Sequence, residues 1–314
     1  MVQILIDFDM FSNAISHHLK VPDSQVIEDH MKWVKESRVH TLNQQLKLGG
    51  LLQLDFSAVK RLEPYHIAPL ACIVHEYIEN GFTIEFGNES ETIKKYLDSF
   101  NFRQFCGNQK EYNQFPTPKN PETFPLWRIE PAASNIYPKQ VQEYYENNSF
   151  AGKDLFELGN SLGELMNNIF DHSECKIPGY TFTQADLGRN TLITSVCDFG
   201  VGIPTKVNKY LKSINLNELS HVDALVKATE YEFSTKSQPR NRGFGLDTII
   251  KNVASLNGRI QIVSGKAIYL GLPNGDYKTY EMEVELPGSL IVILLKTNNL
   301  RNKEQEQSDE LHLI

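Results

Sequence analysis

Between Leu155 and His172 the apolar residues recur at helical spacing. Leu155, Leu158, Leu162, Leu165 and Ile169 fall in a stripe about 80° wide when each residue turns the chain by about 100°. That stripe predicts a helix with one face in a core. Glu164, Asn168 and His172, each four residues after the last, make a second stripe directly beside the first. A carboxylate, an amide and an imidazole are thereby placed at a core boundary, where polar groups are costly to desolvate without a partner. Alone, this spacing also describes many solvated helix faces. The glycine motifs that follow change its weight.

Thr191 to Cys197 reads as a strand that runs into Asp198-Phe-Gly200-Val-Gly202. Glycine there lets backbone approach a flat ligand, and a carboxylate at the strand end accepts hydrogen bonds from an exocyclic amine. Arg242-Gly243-Phe-Gly245 opens a helix through Leu246, Ile249, Ile250, Val253 and Leu256, with Gly258 expected as its C-terminal cap. Glycine-rich backbone at a helix start suits phosphate. Arg259–Val263, Ala267–Leu272, Tyr280–Leu286 and Leu290–Leu295 read as antiparallel strands, with turn chemistry at Asn274-Gly275.

The N-terminal half has a βαβα rhythm. Val2–Asp7 reads as a strand and Val26–Leu48 as helical; then Gly50–Asp55 is a strand, Ala68–Glu79 a helix, Phe82–Phe86 a strand and Ser90–Phe100 a helix. In the Ala68–Glu79 helix, Leu70, Ile73 and Tyr77 share one face. Asp7 and Asp9 lack a visible third ligand, so they read as solvated acids and not as a metal site. From Gly107 to Asn148 the prolines at 116, 118, 121 and 125 argue against helix interior and central strand, which makes this stretch a connector between two domains with separate cores. The expected division is therefore 1–110, connector 111–148, 149–297, and a disordered tail at 298–314.

Composition narrows the function classes. The 314 residues are 40% hydrophobic and 22% charged, ordinary for a folded chain, and the net charge of −8 disfavours general affinity for nucleic-acid backbone. Cys72, Cys106, Cys175 and Cys197 have no metal-like spacing and suit a reducing compartment. The first residues lack a basic start, and no run approaches the roughly 18 apolar residues of a membrane span. A cytoplasmic protein is expected.

With these motifs in view, the chain resembles the GHKL, or Bergerat-fold, ATP-binding domains of gyrase, MutL, histidine kinases and anti-sigma-factor kinases. Glu164, Asn168 and His172 match the N box, Asp198, Gly200 and Gly202 the G1 box, and Gly243 and Gly245 the G2 box. Pro287-Gly288-Ser289 looks like the last box, with serine where threonine is commoner. The order of four motifs over half the chain is specific where any one would be weak. The run from Gly50 to Phe105 is similar to the STAS domain of anti-sigma-factor antagonists. It departs from that family at Leu62-Glu-Pro-Tyr-His66-Ile, which has no phosphorylatable serine; Tyr65 and His66 read as packed loop residues. His75-Glu76 lacks the helical hairpin of a histidine-kinase phosphoacceptor.

The resemblance implies an α/β two-layer sandwich, a mixed and mostly antiparallel sheet under helices, preceded by a STAS-like α/β domain. It implies ATP and Mg²⁺ as cofactors. Asp198 would accept from the adenine amine, with Ser289 supporting that contact through water, and Asn168 would offer oxygen to Mg²⁺. Glu164 would hold the attacking water or hydroxyl, and His172 would meet the lid or phosphates. The stretch from Pro204 to Asn241, helical over His221–Tyr231, would be the ATP lid, bringing Lys236, Arg240 and Arg242 to the phosphates. Three functions follow: a regulatory protein kinase or anti-sigma-like switch acting on a protein partner through the STAS-like unit, an ATPase driving lid closure or homodimerisation, and a non-catalytic nucleotide-binding module. No gyrase-type transducer sequence follows the motifs, which disfavours the topoisomerase and MutL branches.

Overall fold

The computed structural model describes residues 15–38, 49–107, 116–172, 177–231, 233 and 245–303, among which nine α-helices and eight strands form a mixed α/β arrangement. The strand expected at Val2–Asp7, with Asp7 and Asp9, lies outside the described residues. The first described strand is β1 (Ile15–Lys20), followed by α1 (Ile27–Ser37), β2 (Gly50–Asp55), α2 (Pro64–Glu79), β3 (Thr83–Gly87), α3 (Glu91–Ser99) and α4 (Phe102–Gly107). The three strands pair in parallel in the order β1-β2-β3. β1 escapes a hydrophobicity pattern because His17 occupies an apolar position: it is buried against the rings of Tyr77 and Phe82, at centroid distances of 5.6 and 5.0 Å. Ser90 caps α3, its hydroxyl accepting from the Ile93 N–H at 3.3 Å.

Helix α2 is longer than expected and is not amphipathic. It begins at Pro64, where a fixed φ and a missing N–H suit the first turn, and residues from Pro64 to Tyr77 are buried on nearly every side. The reason is its position, between the small parallel sheet and one face of a second, larger sheet.

That second sheet has five strands in the order β4-β5-β6-β8-β7, comprising β4 (Thr123–Arg128), β5 (Tyr180–Asp186), β6 (Thr191–Asp198), β7 (Arg259–Gly271) and β8 (Tyr277–Lys296). Every described ladder in it is antiparallel. Helices α5 (Pro131–Asn147), α6 (Phe156–His172) and α9 (Leu246–Ser255) cover one face, and α7 (Ile203–Ser213) and α8 (His221–Ala228) pack together beside β7. The opposite face meets α2 and α1, so the layering is helix, sheet, helix, with the small sheet beyond. One apolar cluster runs from Leu52 and Ile73 through Tyr180, Phe182 and Leu290. Two separate cores were expected; here one large apolar cluster is shared by both halves, and a second lies under α5, α6 and α9. Polar contacts reinforce the seam: the Ser195 hydroxyl donates to Pro64 O at 2.5 Å, Arg61 meets Asp186 at 2.7 Å, and His75 hydrogen-bonds to Tyr180.

The connector reading of 111–148 is also corrected. It contains β4 and α5, both part of the larger sheet and its helical cover. Pro125 is tolerated because β4 is an edge strand whose register slips between Phe124 and Trp127, where a missing N–H leaves no ladder bond unmade. Pro131 starts α5, and Pro138 is accommodated within it. Four strands expected near the C-terminus are two long ones, β7 and β8, bent at a shared irregularity from Ser264 to Ala267. After α9, Asn257 takes the left-handed conformation (φ 56°) that was assigned to Gly258. Gly258 is needed for space instead, since a Cβ there would stand 2.4 Å from Leu295 Cδ2.

The start of the expected disordered tail is ordered. Leu300 is buried, the Asp154 N–H donates to Arg301 O at 3.0 Å, and Lys303 pairs with buried Glu146 at 2.8 Å. Residues 304–314 lie outside the described residues. No described helix is long and apolar enough to cross a membrane.

Four buried histidines give the fold an acid limit. Burial depresses the pKa of His17, His30, His66 and His75, aided by neighbouring His66 at His30 and by Arg128 at His75, which falls to about 4. An unfolded chain protonates these groups near 6.5, so it binds more protons below that pH and stability is lost as pH falls. The loss is roughly 1.4 kcal/mol per histidine per pH unit until each native pKa is reached. Melting curves at about pH 7.5 and about pH 5 are expected to show a clear fall in Tm on acidification; an unchanged Tm would refute neutral burial.

Candidate functional site

The larger sheet ends in a row of three polar side chains. Asp198 on β6 pairs across the ladder with Ser289 on β8, which pairs in turn with Ser264 on β7. Directly opposed residues share a face, and alternation sets which one. Leu192 and Val196 precede Asp198, Ile260 and Ile262 precede Ser264, and Ile291 and Ile293 follow Ser289; all six join the core under α5, α6 and α9. The row therefore continues the face that these helices cover. Asp198, Ser264 and Ser289 are all buried.

Each member is held by backbone. Asp198 Oδ1 accepts from the Gly200 N–H at 2.7 Å, and Ser289 N–H also donates to the carboxylate. Burial nevertheless dominates and pushes the Asp198 pKa up to about 6. Gly202 (φ 80°) turns the chain into α7. Gly288 (φ 87°) passes so close beneath the β6 end that a Cβ would stand 2.1 Å from Asp198 O. Ser264 joins three segments: its hydroxyl lies 2.7 Å from Gly288 O and 3.1 Å from Ser289 Oγ, and accepts from the Ile203 N–H at 2.9 Å.

Helix α6 forms as its apolar stripe requires, with Leu155, Leu158, Leu162, Leu165 and Ile169 buried. Glu164 and Asn168 are half-buried beside the stripe. Burial raises the Glu164 pKa. Gly179 links this helix to the strand end: a Cβ there would lie 3.2 Å from Ile169 Cγ2 and 2.8 Å from Cys197 O. The residue after Asn168 and the residue before Asp198 thus meet over one glycine. Gly245 opens α9, which packs against α6, and no described residue lies within 4 Å of the position a Cβ would take.

The structure thus brings Asp198, Gly200, Gly202 and Ser289 into one cluster and sets the helix of Glu164 and Asn168 over the same sheet face. Lys236, Arg240, Arg242 and Gly243 lie outside the described residues, as does the side chain of His172. Tyr65 and His66 are engaged elsewhere: His66 Nδ1 accepts from the Glu63 N–H at 2.9 Å and Nε2 meets Ser24 O at 2.9 Å, while burial pushes Tyr65 up to about 12. The insert after Gly202 contains α7 before the expected α8, which ends at Ala228. Sequence reasoning missed Ser264 and the need for glycine at 288. The available signal was Ser264-Gly265 interrupting an alternating strand, a mark of a bulge.

Beneath the cluster, the N-terminal half touches the same strand end from behind. The Arg38 guanidinium stacks on the Phe199 ring at 4.3 Å and pairs with Glu76 at 2.6 Å, and the Cys72 thiol donates to Cys197 O at 3.6 Å. Set against known proteins, the chain matches no protein-family model and no curated protein.

Proposed function

We propose that the chain binds ATP·Mg²⁺ in a Bergerat-type site and acts as a regulatory protein kinase or anti-sigma-like switch, with the N-terminal half a STAS-like unit that receives a protein partner. The observation that carries this reading is the polar row Asp198–Ser289–Ser264, emerging from the core face beneath the helix that bears Glu164 and Asn168. A buried carboxylate that accepts from the Gly200 and Ser289 N–H groups still has lone pairs to accept from an exocyclic amine, which adenine carries at the position where guanine carries a carbonyl.

The donor set suits magnesium only in company with a ligand. Among the described residues no group of three His, Cys, Asp or Glu side chains is placed to hold a metal ion, so Asn168 would supply one oxygen and phosphates and water the rest. Bound ATP·Mg²⁺ would supply the transferable phosphoryl group. Glu164 would orient the attacking hydroxyl, with burial favouring a carboxyl able to take up its proton. Gly245 and the start of α9 would present N–H groups to phosphate. The stacking of Arg38 on Phe199 favours the regulatory reading over a plain ATPase, because a partner on the N-terminal half would press on the residue after Asp198. The free buried cysteines Cys72, Cys106 and Cys197 support a reducing, cytoplasmic setting.

The test is incubation with γ-labelled ATP and Mg²⁺, following free phosphate and labelled protein. Glu164→Gln is expected to lower turnover about 10²- to 10⁴-fold with ATP affinity changed by less than about threefold, and Asn168→Ala to remove the Mg²⁺ dependence of binding. Label on a partner supports the kinase, phosphate release alone the ATPase, and binding without either the module. No binding of ATP at all would end the proposal.

A further inference from the structure

The proton inventory of the polar row fixes what it can recognise. Gly288 O is a carbonyl and can only accept, so the single Ser264 hydroxyl proton at 2.7 Å goes to it. The Ile203 N–H occupies one Ser264 lone pair at 2.9 Å. In the remaining contact, Ser264 Oγ to Ser289 Oγ at 3.1 Å, Ser264 has no proton left to give, and Ser289 must be the donor. The Ser289 oxygen then has only lone pairs to offer elsewhere. Its cross-strand neighbour Asp198 accepts from the Gly200 and Ser289 N–H groups and, when ionised, can only accept with its remaining lone pairs. Ser264 is wholly buried, so no solvent competes for its proton.

We infer that Ser264 is a specificity-determining positioning residue, which locks Ser289 as an acceptor beside Asp198 so that the pair reads the two protons of an exocyclic amine and rejects a carbonyl in its place. This deepens the nucleotide-binding reading and rests on it. An amine has one proton for each of two neighbouring acceptors; an oxo group sets a third acceptor against them, and unmatched buried acceptors are strongly disfavoured. Without the Ser264 hydroxyl, Ser289 is free to turn its proton toward an oxo group, and the discrimination weakens.

The probes are ATP and inosine triphosphate, which differ in having an amine or an oxo group on the six-membered ring, titrated calorimetrically with Mg²⁺ into the full chain. The parent protein is expected to prefer ATP by about 100-fold, and Ser264→Ala to reduce that ratio about tenfold. In a Ser289→Ala background the further change Ser264→Ala is expected to alter the ratio less than about twofold, since the residue it acts through is gone. Ser264→Thr, which keeps the hydroxyl, is expected to restore the ratio. Where Ser264→Ala does not fold, Ser264→Cys takes its place, a weak donor expected to cut the ratio about three- to tenfold. An unchanged ratio in the folded Ser264 variant, or an equal fall in the Ser289→Ala background, overturns the inference and leaves nucleotide binding standing. Failure of the parent protein to bind either probe overturns both.

Discussion

An Asp198→Asn protein is expected to be more stable than the parent chain at neutral pH and to bind ATP worse. The carboxyl lies in the core face, where desolvation outweighs the hydrogen bonds from Gly200 and Ser289 and raises its pKa from 3.8 to about 6. Between those values the folded state holds a proton that the unfolded state has released, so this group's contribution to stability falls as pH rises through the window and stays lost above it. The gap corresponds to about 3 kcal/mol at about 1.36 kcal/mol per pH unit. Asparagine keeps an oxygen for the Gly200 N–H and carries no charge to desolvate. Urea unfolding at about pH 8 should show a gain of up to about 3 kcal/mol for the variant, shrinking toward zero by about pH 4. Its NH₂ would face a ligand amine, donor against donor, and ATP affinity should fall about 10- to 100-fold or more. Equal stabilities at both pH values would show that Asp198 is not charged at a cost in the folded protein. Comparing variant with parent cancels the opposite slope of the four histidines.

Gly288→Ala should be the most damaging small substitution in the site. The added Cβ would stand 2.1 Å from Asp198 O and 2.7 Å from Phe199 Cα, both backbone, and at φ 87° a side chain is strained whatever the space. Neither neighbour can give way by rotating a side chain, so β8 must separate from the end of β6. A loss of about 4 kcal/mol or more is expected, with nucleotide binding abolished. Gly152→Ala is the control: its φ is 78°, and nothing lies within 4 Å of the Cβ position, so the cost should be only about 1–2 kcal/mol. Denaturant unfolding of both variants checks the pair. If they lose equal stability, strain alone sets the cost and the close crossing at Asp198 is not a constraint.

The motifs were legible because each is local. A helix period placed Leu155 to Ile169 in the core and Glu164 and Asn168 at its edge, and the structure has them there. Strand β6 and the turn after it were readable from Val196, Cys197 and the glycines. Ser264 was not, because its importance lies in partners at Ile203, Gly288 and Ser289, up to 61 positions away. Pro125 misled in the same way: proline forbids a central strand but not a slipped edge, and only pairing reveals an edge.

What the sequence determined by itself is what one turn or one strand can enforce: helical period, strand alternation and the Asn274-Gly275 turn, where Gly275 takes φ 84°. Which faces those elements bury was decided in three dimensions. Helix α2 is buried nearly all round, and no local rule says that its second partner is the far face of the strand bearing Asp198. Burial energy depends on the surface met, and here that surface is contributed by residues more than a hundred positions away, as the contacts of Pro64 with Ser195 and Cys72 with Cys197 show.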